Sequence, residues 1–128
     1  MSGFTFGTYA LLGSASQSVA ADDSHVMGTV DNAGKIATEL SIAVTYHASA
    51  TAGAQVQIER DLDGTNFEGE NSAPWVVPIP FAADTTRERV ITIPGDQVGK
   101  FQVRVVNLDA DQALTVTTRT KQATFGSA

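Results

Sequence analysis

Five acidic residues crowd one short stretch of the chain: Glu59, Asp61, Asp63, Glu68 and Glu70. Carboxylate oxygens gathered this closely are hard ligands of the kind calcium takes. An EF-hand reading that starts at Asp61 fails, because its sixth position is Asn66 and its twelfth is Ser72, where that loop needs Gly and Glu. Asp61, Asp63, Glu68 and Glu70 are then the candidates for a looser calcium site. The plainer reading is a solvated hairpin tip whose charge serves solubility. Paired carboxylates also cleave glycosides, but one of the two must be desolvated to keep its proton near neutrality, and nothing in the sequence shows such a group.

Other catalytic constellations are missing. His25 and His47 are the only histidines, and neither has a second ligand candidate at zinc spacing. Both read as surface histidines. With no cysteine, disulfides, thiolate metal sites and a cysteine nucleophile are excluded. There is no Gly-x-Ser-x-Gly elbow, and the pairs Gly3/Gly7 and Gly95/Gly99 lack the spacing and the Lys-Ser/Thr of a phosphate loop. The expectation is a protein that is not an enzyme and carries no cofactor.

Pro74 to Phe81 (Pro-Trp-Val-Val-Pro-Ile-Pro-Phe) is the best candidate for binding. In a strand, alternate N–H groups point to opposite edges, so Pro78 and Pro80 remove donors from one and the same edge. Such a segment is an edge strand or an extended arm. Trp75, Val77, Ile79 and Phe81 share one face and would serve as apolar anchors, or would fold into the chain's own core. Phe4, Phe6 and Tyr9 alternate with small residues at the start and form a second candidate anchor set. Two readings stand for residues 1–23: an extended N-terminal arm, or a first strand with a long surface loop.

The elements that must hold these residues are strands. Ile36, Leu40, Ile42, Val44 and Tyr46 take the even positions from Lys35 to His47, and polar residues take most of the odd ones. That period of two predicts a strand with one buried face. Gln55 to Arg60 follows with Val56 and Ile58 inward, and Asp63-Gly64 supplies a tight turn after which Phe67 would begin a return strand. Phe101, Val103 and Val105 alternate with Gln102 and Arg104, and Leu114, Val116 and Thr118 alternate in the last strand. A charged turn is expected at Asp84 to Glu88. About eight short strands without a helix predict an all-β fold, an antiparallel β-sandwich of jelly-roll type spanning residues 24–120, with a loosely held tail at 121–128.

Composition narrows the partners. The 128 residues carry 8 basic and 14 acidic side chains, a net charge of −6. An acidic chain with scattered Lys and Arg is not built for nucleic acid. No apolar run nears the length of a membrane span. The first basic residue is Lys35, so a secretion signal is not expected and the chain is expected to stay on the cytoplasmic side. Only 17% of residues are charged, which fits either a neutral polar surface or one covered by neighbouring molecules.

Val56-Gln-Ile-Glu-Arg-Asp-Leu-Asp-Gly-Thr-Asn-Phe67 resembles the strand and Asp-Gly-Thr-Asn-aromatic turn of small accessory virion proteins of tailed bacteriophages. Phe101-Gln-Val-Arg-Val-Val-Asn107 is similar to their penultimate strand, and Asn107 to Thr118 to their final hairpin. The likeness covers roughly residues 35–120. Phe67 stands where tryptophan is commoner, and the N-terminal stretch matches nothing in that family. The resemblance implies a β-sandwich virion component assembled in a bacterial host's cytoplasm, with no catalytic residues. Its partners would be the major capsid protein or other virion subunits, and copies of itself as a homo-oligomer. It would be a head decoration (cement) protein, or a neck, collar or tail-associated subunit. From a different class, a carbohydrate-binding or adhesive sandwich would use Trp75 to stack on a sugar ring.

Overall fold

The computed structural model describes residues 4–70, 72 and 75–125, with the backbone alone for residues 4–6. Among these residues there is no helix. Ten strands run in chain order: β1 Phe4–Phe6, β2 Ala10–Leu11, β3 Gln17–Val19, β4 Ser24–Asp31, β5 Ala37–Tyr46, β6 Ala54–Arg60, β7 Trp75–Ile79, β8 Thr86–Pro94, β9 Lys100–Asn107 and β10 Leu114–Phe125.

They form two antiparallel sheets. In the first, β10 lies between β5 and the three short N-terminal strands, and β8 forms the far edge beyond β5; the second has the order β4-β9-β6-β7. Apart from the β6–β7 pair, which stays within the second sheet, the eight strands from β3 to β10 thus alternate between layers in the two interlocked Greek keys of a jelly roll. The expected all-β sandwich is the fold observed, with β1 and β2 added to its eight strands.

The alternation read from the sequence is what the packing uses. Leu40, Ile42, Val44 and Tyr46 from β5 face Phe101, Val103 and Val105 from β9 across the sandwich, joined by Val56 and Ile58 from β6 and Leu114 and Val116 from β10. These side chains are almost wholly withdrawn from water, and burying each contributes about 1.5–3 kcal/mol. At one end the buried amide of Asn32 donates to the carbonyls of Ile93 (3.1 Å) and Val98 (2.9 Å) and accepts from Thr38 (2.7 Å). This joins the chain before β5 to the turn after β8.

Several boundaries differ from expectation. Residues 86–88 belong to β8 rather than to a charged turn, because they complete a ladder with Val44, Ala43 and Thr45 of β5. Phe67 makes a single bridge to Asp61, and the return strand begins only at Trp75. Residues 1–23 do not reach away from the domain where they are described. Residues 4–6, 10–11 and 17–19 lie antiparallel along β10, where unpaired backbone groups of that long strand receive them. For the same reason residues 121–125 are held in the ladder rather than loosely; residues 126–128 lie outside the described residues.

Candidate functional site

The candidate anchors divide by which way each strand turns them. Val77 and Ile79 face inward from β7 and are core residues, 9% and 4% exposed, so neither is available as an intersubunit anchor. Trp75 is half-buried against the same core and lines a cleft of about 380 Å3 with Arg60, Gln97 and Val98. Phe81 stays partly exposed, its ring edge-on to Tyr46 with centroids 5.0 Å apart. Tyr9 is exposed on the first sheet; its hydroxyl donates to Glu39 at 3.0 Å, and Lys121 sits over its ring at 4.7 Å. Lys121 in turn pairs with Glu39 at 3.2 Å. Partial desolvation, helped by the hydrogen bond to the Glu39 carboxylate, raises the Tyr9 pKa above its ordinary value. Phe4 and Phe6 lie in β1, but their side chains are outside the described residues, as is Pro74.

Large apolar side chains outside the candidate anchor sets are as exposed as these or more so. Leu11, Val76, Val90, Leu108 and Phe125 all stand in solvent, Phe125 at 75% exposure. Val76 lies on the outer face of β7 and Val90 on the outer face of β8, each alternating with inward neighbours. Period two applied to these strands would have marked Val90, since Ile91 and Ile93 fix the inward phase. Leu11 and Phe125 lack that signal, because their exposure depends on where β2 and β10 end.

The acidic stretch separates into unlike parts. Asp61 accepts from the Gly64 N–H at 2.9 Å, and Asp63 accepts from the Thr65 and Asn66 N–H groups and the Asn66 side-chain amide. These bonds hold the Asp63 carboxyl well below the usual carboxylate range, the Asn66 amide contributing most. Glu68 forks onto Arg60, and Glu70 accepts from Ser24 at 3.2 Å. The four calcium candidates therefore turn to different internal donors. Among the described residues no group of three His, Asp or Glu side chains gathers where it could hold a metal ion. His25 is half-buried, and His47 is exposed with Nδ1 accepting from the Ser49 N–H at 2.9 Å.

Glu59 is not part of a solvated tip at all. Its side chain is fully buried on the outer face of β6, 2.8 Å from Arg104 Nε and 2.6 Å from the Gln102 amide. The chain after the hairpin is pinned at Glu68 to Arg60 on β6 and at Glu70 to Ser24 on β4, the two strands that flank β9.

At the opposite end of the second sheet, Asn107 donates to the carbonyls of Val19, Ala20 and Gln112. Beside it the buried Asp109 carboxylate accepts four backbone N–H bonds, from Thr51, Ala52, Asp111 and Gln112. Those donors hold the Asp109 pKa far below its ordinary value, Thr51 first among them. The pair fastens the N-terminal segment and two loops at one rim.

The prolines act as the sequence implied. β7 is the edge of its sheet, and the Pro78 carbonyl points outward, accepting from Arg89 of β8 at 3.0 Å. In an antiparallel strand a residue's N and carbonyl share a side, so Pro78 and Pro80 both leave this outer edge without a donor.

No protein-family model and no curated protein sequence matches the chain. Solved structures do match in fold. The VP2 subviral particle of infectious bursal disease virus superposes with a TM-score of 0.59 over 94% of this chain at 8% identity. The Gx strain of the same virus gives 0.53 over 97% at 11% identity. This chain spans 32% of each of those viral chains. A pilus protein of Bacillus endospore appendages gives 0.51 at 7% identity, covering 97% of this chain and 91% of that one. The property shared with all three is the architecture, a β-sandwich.

Proposed function

We propose that this chain is a non-enzymatic structural subunit of a tailed-phage particle, and within that class a decoration (cement) protein that stabilises the head. The observation that carries the reading is a capsid-like jelly roll whose exposed apolar side chains sit along its margins. Tyr9, Leu11 and Phe125 flank β10, while Val76, Phe81 and Val90 flank the β7 and β8 edges. Apolar side chains spread in this way suit several modest contacts rather than one deep site. Domains that dock repeatedly on a lattice gain avidity from effective concentration, which strengthens a shell without chemistry. Its partners are then the major capsid protein and copies of itself, met in the cytoplasm of the host bacterium.

A neck, collar or tail-associated subunit is the nearest alternative, and copy number separates the two. Mass spectrometry of purified particles should give this chain in numbers comparable to the major shell protein if it decorates the head. A small number of copies per particle would assign it to the neck or tail, and its absence would end the virion reading. A carbohydrate-binding module needs Trp75 open for stacking. Trp75 packs partly against the core, which favours the structural reading.

A further inference from the structure

The sandwich has four lateral sheet edges, and three are protected. The β7 edge lacks donors at Pro78 and Pro80, and its Pro78 carbonyl is taken by Arg89. The β4 edge is bent by a bulge between Val26 and Gly28 and packed by Leu12. The edge beyond β10 is broken into the short strands β1, β2 and β3, of two or three residues each. These are the devices by which sheets avoid pairing with strangers. Among the described residues the fourth edge, β8, has neither cover nor break: nine residues, with no bulge and no proline before its last position, and with the charged Arg87, Glu88 and Arg89 as its one restraint on pairing.

The phase of the β8 ladder follows from its two ends. Tyr46 N–H donates to the Thr85 carbonyl, and Gly95 N–H donates to the Ile36 carbonyl. In an antiparallel ladder the bonded pairs recur every second residue, so residues 87, 89, 91 and 93 bond to β5. Thr86, Glu88, Val90 and Thr92 therefore direct both N–H and C=O groups outward, away from every strand of the sheet. Their side chains lie on the exposed outer face, with Val90 57% exposed.

We infer that β8 pairs antiparallel with β8 of a second copy about a two-fold axis, joining the two first sheets into one. Side chains select the register. An axis at Arg89 sets Arg89 opposite Arg89 of the second copy, and an axis at Glu88 opposes two carboxylates and also Arg87 to Arg89. Like charges directly opposite are destabilising. An axis at Val90 avoids both: Val90 meets Val90 of the second copy, Glu88 meets Thr92, and Arg89 meets Ile91. That register makes about six main-chain hydrogen bonds and withdraws the exposed valine from water. Moving the axis further toward Pro94 loses bonds, since Pro94 has no N–H and its carbonyl already accepts from Val98 at 3.1 Å. The β8 edge is thus self-complementary in one register. A strand pair alone buries less than the roughly 1,000 Å2 of a stable complex, so the dimer is concentration-dependent in solution and gains from a lattice that holds copies side by side.

Sedimentation equilibrium of the full chain over rising concentration tests this, together with single-cysteine variants of a protein that has no cysteine of its own. The expected result is a species of twice the 13.4 kDa chain mass at high concentration. Val90→Cys should then form a disulfide-linked dimer under mild oxidation, because bonded antiparallel pairs hold Cα atoms about 5.5 Å apart, within disulfide reach. Glu88→Cys should not, since its two copies sit about 13 Å apart in this register. Val90→Pro should abolish the dimer with the fold retained, because the lost N–H points outward and serves no bond to β5. A chain that stays monomeric at every concentration, a dimer that survives Val90→Pro, or equal cross-linking of the two cysteine variants would overturn the inference. Should Val90→Pro fail to fold, the two cysteine variants decide alone.

Discussion

Glu59 and Arg60 are adjacent on β6, each is ion-paired at under 3 Å, and the two pairs should behave very differently. Glu59 has no exposed side-chain surface and Arg104 has 20%, whereas Arg60 is 46% exposed. Glu59→Ala would leave the Arg104 guanidinium largely buried with Ser24 as its remaining partner at 3.1 Å, and would strip the Gln102 amide of its acceptor. Removing one member of a buried pair costs about 3–5 kcal/mol; the residual exposure of Arg104 places this case near 3. For a chain of this size each kcal/mol moves Tm by roughly 3–5 °C, so a fall of about 10–15 °C is expected. Glu68→Ala, which frees a guanidinium already in water, should produce a far smaller shift. Thermal unfolding followed by the single tryptophan, Trp75, measures both shifts, and urea unfolding gives the matching free energies. Replacing both buried partners, Glu59→Leu with Arg104→Met, should recover most of the loss, since neither charge is then left unpaired. If Glu59→Ala unfolds no more readily than Glu68→Ala, the burial argument for the outer face of the second sheet is wrong.

Acid should reveal Asp109. A carboxyl whose pKa is depressed by folding contributes stability above its unfolded value, and loses it as pH falls through the folded one. Asp109→Asn should therefore lower Tm at neutral pH, and its deficit against the wild type should shrink as pH drops below the ordinary 3.8; a constant deficit would show that the charge is irrelevant. Gly28 receives Leu12 so closely that a Cβ there would lie 2.6 Å from the leucine Cδ1. Gly28→Val should displace Leu12 and expose the segment around residues 10–16 to protease while the sandwich stays folded; unchanged digestion would mean that Leu12 does not hold that segment.

The alternation of β5, β9 and β10 could be read directly from the residues, because a strand's two faces are a local property with a period of two. The same holds for the blocked edge at Pro78 and Pro80, where each ring removes its own donor whatever surrounds it. Turn chemistry was legible at Asp63-Gly64, where Gly64 adopts a positive φ of 96°. Glu59 differs for the opposite reason: its sequence neighbours are charged, whereas the Gln102 and Arg104 side chains that hold it stand more than forty residues further along the chain. Val77 and Ile79 could have faced a partner or a core, since an apolar alternation records which side chains avoid water but not what covers them. The N-terminal segment carries too little periodicity to announce its pairing, and it lies along β10 because the side of that strand turned away from β5 would otherwise keep its backbone groups unpaired.

Composition and periodicity alone therefore determined an acidic, cysteine-free, all-β chain with its strands close to their observed places. Tertiary structure decided the jelly-roll order, the burial of Glu59 and Asp109, and, among the described residues, the open edge at β8. The physical reason is range: alternation and turn preference act between neighbours in the chain, whereas burial of a sheet's outer face and satisfaction of its edges depend on segments brought together from tens of residues away.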